Sequence, residues 1–202
     1  MLSRFILILA LALASATASA GTILVFGDSL SAGYGLPQQQ GWTSLLEKRL
    51  RAEDLDYRVA NASVSGETTI GGAARIGAAL KAHKPDIVVI ELGANDGLRG
   101  QSIDVMRRNL ETIIDASRQA KAQVLLVGMR LPPNYGTAYT EKFQRTFVDL
   151  SRSKKTALVP FLFEGFAEDA RYFQSDRMHP TAEAQALMLD TVWTGLKPLL
   201  RR

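Results

Sequence analysis

"DIVVIEL", Asp86 to Leu92, is an almost unbroken apolar run that is too short for a helix of ordinary length. Its β-branched side chains suit a pleated strand, and the lack of polar alternation means that neither face meets water. "QVLLVG", Gln123 to Gly128, has the same character. Strands buried on both faces belong to parallel sheets with helices on each side. Further short apolar runs at Thr22–Phe26, Tyr57–Ala60 and Ala157–Phe161 bring the expected strands to five.

The segments between these runs carry apolar residues at helical spacing, near Trp42–Ala52, Ile70–Ala82, Ile103–Gln119, Thr140–Ser153 and Ala182–Leu199. Trp42, Leu45, Leu46 and Leu50 share one stripe, as do Met106, Leu110, Ile113 and Ile114. These stripes are core faces. Strand and helix alternate as in βα units, with no internal repeat, low-complexity tract or long linker. The pattern predicts one α/β domain, a three-layer α/β/α sandwich around a five-stranded parallel sheet of flavodoxin-like form.

The chain opens with a single positive charge at Arg4, runs apolar from Phe5 to about Ala14 and reaches small residues at Ala18-Ser19-Ala20. That order of features predicts a secretory signal peptide over residues 1–20. The run falls short of the roughly 20 apolar residues that a membrane-spanning helix needs. Cleavage after Ala20 leaves a domain over 21–202, expected in the periplasm or outside the cell. The sequence contains no cysteine, which excludes disulfides, thiolate catalysis and cysteine-held metals. The net charge of +4 is scattered among acidic residues, unlike a nucleic-acid footprint. The densest basic cluster, Arg152, Lys154 and Lys155, reads as a solvated helix end.

Open α/β sheets place their working site beyond the carboxyl ends of the strands. Three such loops here hold Gly27-Asp28-Ser29, Asn61-Ala62-Ser63-Val64-Ser65-Gly66 and Gly93-Ala94-Asn95-Asp96-Gly97. Near the carboxyl end comes "SDRMHP", with Asp176 three residues before His179. Taken singly, each piece has an ordinary reading as a turn glycine, a loop asparagine or a helix cap. Together and in this order, the four resemble the blocks of the SGNH, or GDSL, hydrolase family, over nearly all of the chain that follows the leader.

The resemblance implies a catalytic triad of Ser29, His179 and Asp176. It also implies an oxyanion hole made by the backbone N–H of Ser29, the backbone N–H of Gly66 and the side-chain amide of Asn95. These assignments meet the chemical need. A serine hydroxyl requires a base, histidine titrates near working pH, and a carboxylate fixes the imidazole tautomer. The other histidine, His83, sits between an expected helix and the strand after it, at the wrong edge of the sheet, and reads as a surface or capping residue. Asp28 and Asp96 read as loop-organising acceptors of backbone hydrogen bonds. Asn61-Ala62-Ser63 matches a glycosylation acceptor but overlaps the second block, and is read as accidental.

The longer stretches "GDSLSAGYGL", "NASVSGETT", "ELGANDGLRG" and "RLPPNYG" are similar to the family's bacterial periplasmic thioesterase and lysophospholipase branch. That likeness implies substrate contacts from Leu98, Leu131 and Pro132. The two glycines of Gly97-Leu98-Arg99-Gly100 suggest a hinge that lets Leu98 cover an acyl chain while Arg99 faces solvent. The implied partner is a small acyl ester or thioester, lysophospholipids included. No metal or organic cofactor, nucleic acid or stable membrane span is expected, and the chain is expected to be a monomer. Two alternatives stay open: an acetyl esterase acting on carbohydrate, and a non-enzymatic flavodoxin-like binding protein. Against the second, "GDSLSAGYG" lacks the glycine spacing and lysine of a phosphate loop.

Overall fold

The computed structural model describes residues 20–201, so the expected signal peptide lies outside the described residues, Ala20 excepted. Five strands form one parallel sheet: β1 (Gly21–Gly27), β2 (Tyr57–Asn61), β3 (Ile87–Glu91), β4 (Gln123–Val127) and β5 (Ala157–Val159). Their order is β2-β1-β3-β4-β5. This is the doubly wound order of flavodoxin-like folds. The helices are α1 (Ser29–Ala32), α2 (Trp42–Ala52), α3 (Thr69–His83), α4 (Ala94–Leu98), α5 (Ile103–Gln119), α6 (Thr137–Lys154) and α7 (Ala184–Leu196).

Helices α2 and α7 pack together on one face of the sheet, and α3, α5 and α6 cover the other. Every residue of β3 is buried, as are Thr22 to Gly27 of β1, whereas β2 at the edge is only partly covered. The expected stripes face inward: Trp42, Leu46 and Leu50 from α2, with Met106, Leu110, Ile113 and Ile114 from α5, are fully buried.

The main elements fall within a few residues of expectation. The last strand stops at Val159 rather than Phe161, because Pro160 has no N–H to continue the ladder. The last long helix runs Ala184–Leu196 and tightens into a 3-10 turn at Lys197–Leu199, around Pro198. Two short helices, α1 and α4, escaped the sequence reading. They span four and five residues, too few to show a 3.6-residue period.

Both missed helices begin at the carboxyl edge, where β1 and β3 end side by side with Gly27 paired to Glu91. From β1 the chain crosses to β2 on one side and returns to β3 on the other. A crevice opens at such a switch point. Gly27 is required there by contact. A Cβ on it would lie 2.8 Å from both the carbonyl and a carboxylate oxygen of Glu91, and 2.9 Å from Ser31 Cβ. Gly27→Ala is therefore expected to lower stability by about 1–3 kcal/mol in urea denaturation, through overpacking. Gly77→Ala is the control. It lies in α3 with open space around it, and should be neutral or stabilising by up to about 1 kcal/mol.

Candidate active site

The first βα turn presents Ser29 at the start of α1. Asp28 caps that helix, its Oδ1 accepting the Leu30 N–H at 3.0 Å, and the half-buried Ser29 hydroxyl points out of the turn toward His179. The Ser29 Oγ to His179 Nε2 distance is 2.9 Å, across 150 positions of sequence. On the far side of the ring, His179 Nδ1 lies 2.6 Å from Asp176 Oδ2.

Asp176 and His179 belong to a tight turn with Arg177 in the left-handed region at φ 56°, not to a turn of helix. Asp176 Oδ1 accepts the backbone N–H of Met178 at 2.9 Å and of His179 at 3.0 Å. The His179 backbone N–H, then its side chain, hold the Asp176 carboxyl down at about 2. An ionised carboxylate can only accept, so Nδ1 carries the imidazole proton and Nε2 offers its lone pair to the Ser29 hydroxyl.

Asn95 is the second residue of α4, and its Nδ2 donates to Asp28 Oδ2 at 3.1 Å. Gly66 ends the second loop at φ 77°, a conformation open to glycine and strained for other residues. Arg99 ties these two together: its Nη2 donates to the Gly66 carbonyl at 3.1 Å and lies 3.4 Å from Asn95 Oδ1. The guanidinium is exposed, yet it braces the site instead of simply facing solvent. With Oδ1 turned to Arg99, the Asn95 amide nitrogen faces Asp28 and the turn that carries Ser29.

Two buried acids lie beneath this turn. Asp28 is fully buried, and burial pushes its carboxyl up to about 6 against the hydrogen bonds from Leu30 and Asn95. Glu91, also fully buried, accepts the Ser31 hydroxyl at 2.7 Å. Burial first, and the Asp28 charge second, push the Glu91 carboxyl well above its usual range. Sequence reading missed Glu91 altogether, since an acid ending a buried strand looks like the strand's exposed tip. Asp96 accepts a backbone N–H as expected, but it sits inside α4 and the partner is in α3: it takes the Thr69 N–H at 2.9 Å and the Thr69 hydroxyl at 2.6 Å, tying α4 to the start of α3.

The residues expected to contact substrate sit around α4. Leu131 is half-buried and lies against Gly97, where a Cβ would approach it to 2.7 Å, while Pro132 is exposed. Leu98 is half-buried, and its carbonyl accepts the Tyr135 hydroxyl at 2.9 Å. Tyr139 donates toward the Gly97 and Gln101 carbonyls, at 3.2 and 3.0 Å. The segment read as a hinge is thus the end of α4, moored by two tyrosines. His83 ends α3, at the opposite edge of the sheet, and the Asn61 amide nitrogen is occupied by the Ser31 carbonyl at 2.8 Å. Among the described residues no cluster of His, Asp and Glu has the makings of a metal site, and no helix is long and apolar enough to cross a membrane.

A family model described as GDSL-like Lipase/Acylhydrolase matches residues 25–187. The chain belongs to this family. It is 50% identical over 182 residues to esterase TesA of Pseudomonas aeruginosa, covering 90% of each chain. It is 38% identical over 182 residues to the thioesterase 1/protease 1/lysophospholipase L1 of Escherichia coli, covering 90% of this chain and 86% of that one. Among solved structures, the psychrotrophic esterase EstA from Pseudoalteromonas sp., inhibited by monoethylphosphonate, superposes with a TM-score of 0.84 at 40% identity. That match covers 88% of this chain and 97% of EstA.

The buried acid yields a prediction about the pH dependence of this acylhydrolase's stability. A raised native pKa means that the folded protein keeps a proton which the unfolded chain releases, so Glu91 costs stability increasingly as pH rises above 4.5. Glu91→Gln, which cannot ionise, should raise the melting temperature relative to wild type at pH 8. The gain should shrink to nothing near pH 4. A gain independent of pH would contradict the assignment.

Proposed function

We propose that the protein is a serine esterase that hydrolyses acyl esters and thioesters, lysophospholipids included, through an acyl-enzyme. The observation that carries this reading is the unbroken hydrogen-bonded line from Asp176 through His179 to Ser29. His179 Nε2 takes the Ser29 proton as Oγ attacks the acyl carbonyl, and Asp176 steadies the charged ring. The oxyanion is held by the N–H groups of Ser29 and Gly66 and by the Asn95 amide, which Asp28 and Arg99 keep aimed. His179 then returns its proton to the departing alcohol or thiol. Water enters by the same route and releases the acid.

The relatives named as esterase, thioesterase and lysophospholipase support this substrate range, as does the apolar character of Leu98 and Leu131 at the rim. We also assign residues 1–20 to export, which sets the enzyme among periplasmic or extracellular esters and lysolipids. Mass measurement of the protein recovered from the periplasm tests that assignment, with an intact Met1 end counting against it.

An alkylphosphonate should label wild-type protein at Ser29, and neither Ser29→Ala nor His179→Ala should react. Ser29→Ala should lower kcat on the order of 10⁶-fold. Asp176→Asn keeps the shape but permits the wrong tautomer, and should cost about 10⁴-fold. Arg99→Ala should lower kcat on the order of 10-fold, less than the 10²–10³-fold of a lost oxyanion donor, because it loosens Asn95 and Gly66 without removing either. On a ladder of acyl esters, octanoyl should be preferred over acetyl; the reverse order would favour a carbohydrate acetyl esterase.

A further inference from the structure

His179 is held at both ring nitrogens, but two hydrogen bonds in the ring plane leave it free to tilt about the line between them. Tyr34 closes that freedom. Its ring centroid lies 4.3 Å from that of His179, with the planes inclined at 35°. Tyr34 is 52% exposed, so burial of apolar surface does not explain its place.

Its own backbone N–H donates to the Ser29 carbonyl at 3.1 Å, and one side chain ties it across to the loop of the base. Gln174 Nε2 donates to the Tyr34 carbonyl at 2.9 Å and to the Pro180 carbonyl at 3.0 Å. The Gln174 backbone N–H donates to the His179 carbonyl at 2.8 Å. A single glutamine therefore joins the loop after the nucleophile to the loop of the base, 140 positions apart. Gly33 and Gly35, both at φ 75°, flank Tyr34, and a Cβ at Gly35 would overlap the Gln174 amide.

We propose that Tyr34 and Gln174 are positioning residues: Gln174 locks the two catalytic loops in register, and Tyr34 stacks on His179 to hold the imidazole face. The inference rests on the triad reading of the preceding subsection. It has an electrostatic side as well. The ring gains positive charge when it takes the Ser29 proton, and an aromatic face at this distance attracts that charge. The tyrosine hydroxyl has no part in either effect. A phenyl ring should serve equally well.

The test compares Tyr34→Phe, Tyr34→Leu and Gln174→Met with wild type on a short, soluble acyl ester, together with the rate of labelling by an alkylphosphonate. Tyr34→Phe should stay within about twofold of wild type. Tyr34→Leu and Gln174→Met should lower kcat on the order of 10- to 100-fold, the range that a small misplacement of a catalytic group costs, with KM changed far less. Labelling should slow in proportion. The double variant should lose little more than either single one, since both act through one ring position. Melting temperatures check that each variant is folded, and if one is not, the other carries the test alone. The inference is overturned if Tyr34→Leu keeps wild-type kcat, if its defect lies in KM alone, or if Tyr34→Phe is as impaired as Tyr34→Leu. Failure of the triad reading looks different, because the wild-type protein itself would then not be labelled at Ser29.

Discussion

A parallel sheet ends all its strands in one direction on one edge, and the side-by-side placement of the turns that carry Ser29 and Asn95 follows from that constraint. Helices cover the two faces, so the βα turns after β1 and β3 are pressed together where Gly27 pairs with Glu91. The pressure is literal at Gly27, which has no room for even a methyl group. Ser29 and Asn95 emerge from these two turns as neighbours. Neither owes its position to local sequence alone.

Polar groups below and around the turns convert this adjacency into aimed chemistry. Asp28 caps the helix that carries Ser29 and also receives the Asn95 amide, so one carboxylate serves the turn of the expected nucleophile and the expected oxyanion donor. Arg99 reaches from the end of α4 to the Gly66 carbonyl and Asn95. Glu91 anchors Ser31 from underneath. Buried acids of this kind cost stability where they are ionised. The fold accepts the cost at the edge where it also places Ser29.

Much of this was legible in the sequence. The runs at Asp86–Leu92 and Gln123–Gly128 revealed buried parallel strands, because a short β-branched apolar run without polar alternation suits a strand covered on both faces. Ser29, Gly66 and Asn95 were visible as motif residues in loops after strands, Asp176 and His179 as a fourth block near the carboxyl end, and the structure brings Ser29, Asp176 and His179 into one hydrogen-bonded line. Illegible were the contacts made by residues of ordinary appearance. Gln174 carries no motif, Tyr34 lies inside "GDSLSAGYGL" without any sign of a role, α1 and α4 are shorter than their own period, and the two tyrosine tethers onto α4 join positions 37 and 42 apart.

The sequence by itself determined the layers, since the period and burial of apolar residues are local properties that propagate along each element. It also determined which residue types were available for acyl chemistry, having two histidines and no cysteine from which to choose. Only the tertiary structure decided which oxygen meets which nitrogen. Hydrogen bonds work over about 3 Å, whereas the residues that share them here lie 67, 140 and 150 positions apart. Distances of that kind are fixed by how helices pack across a sheet, and no stretch of sequence contains them.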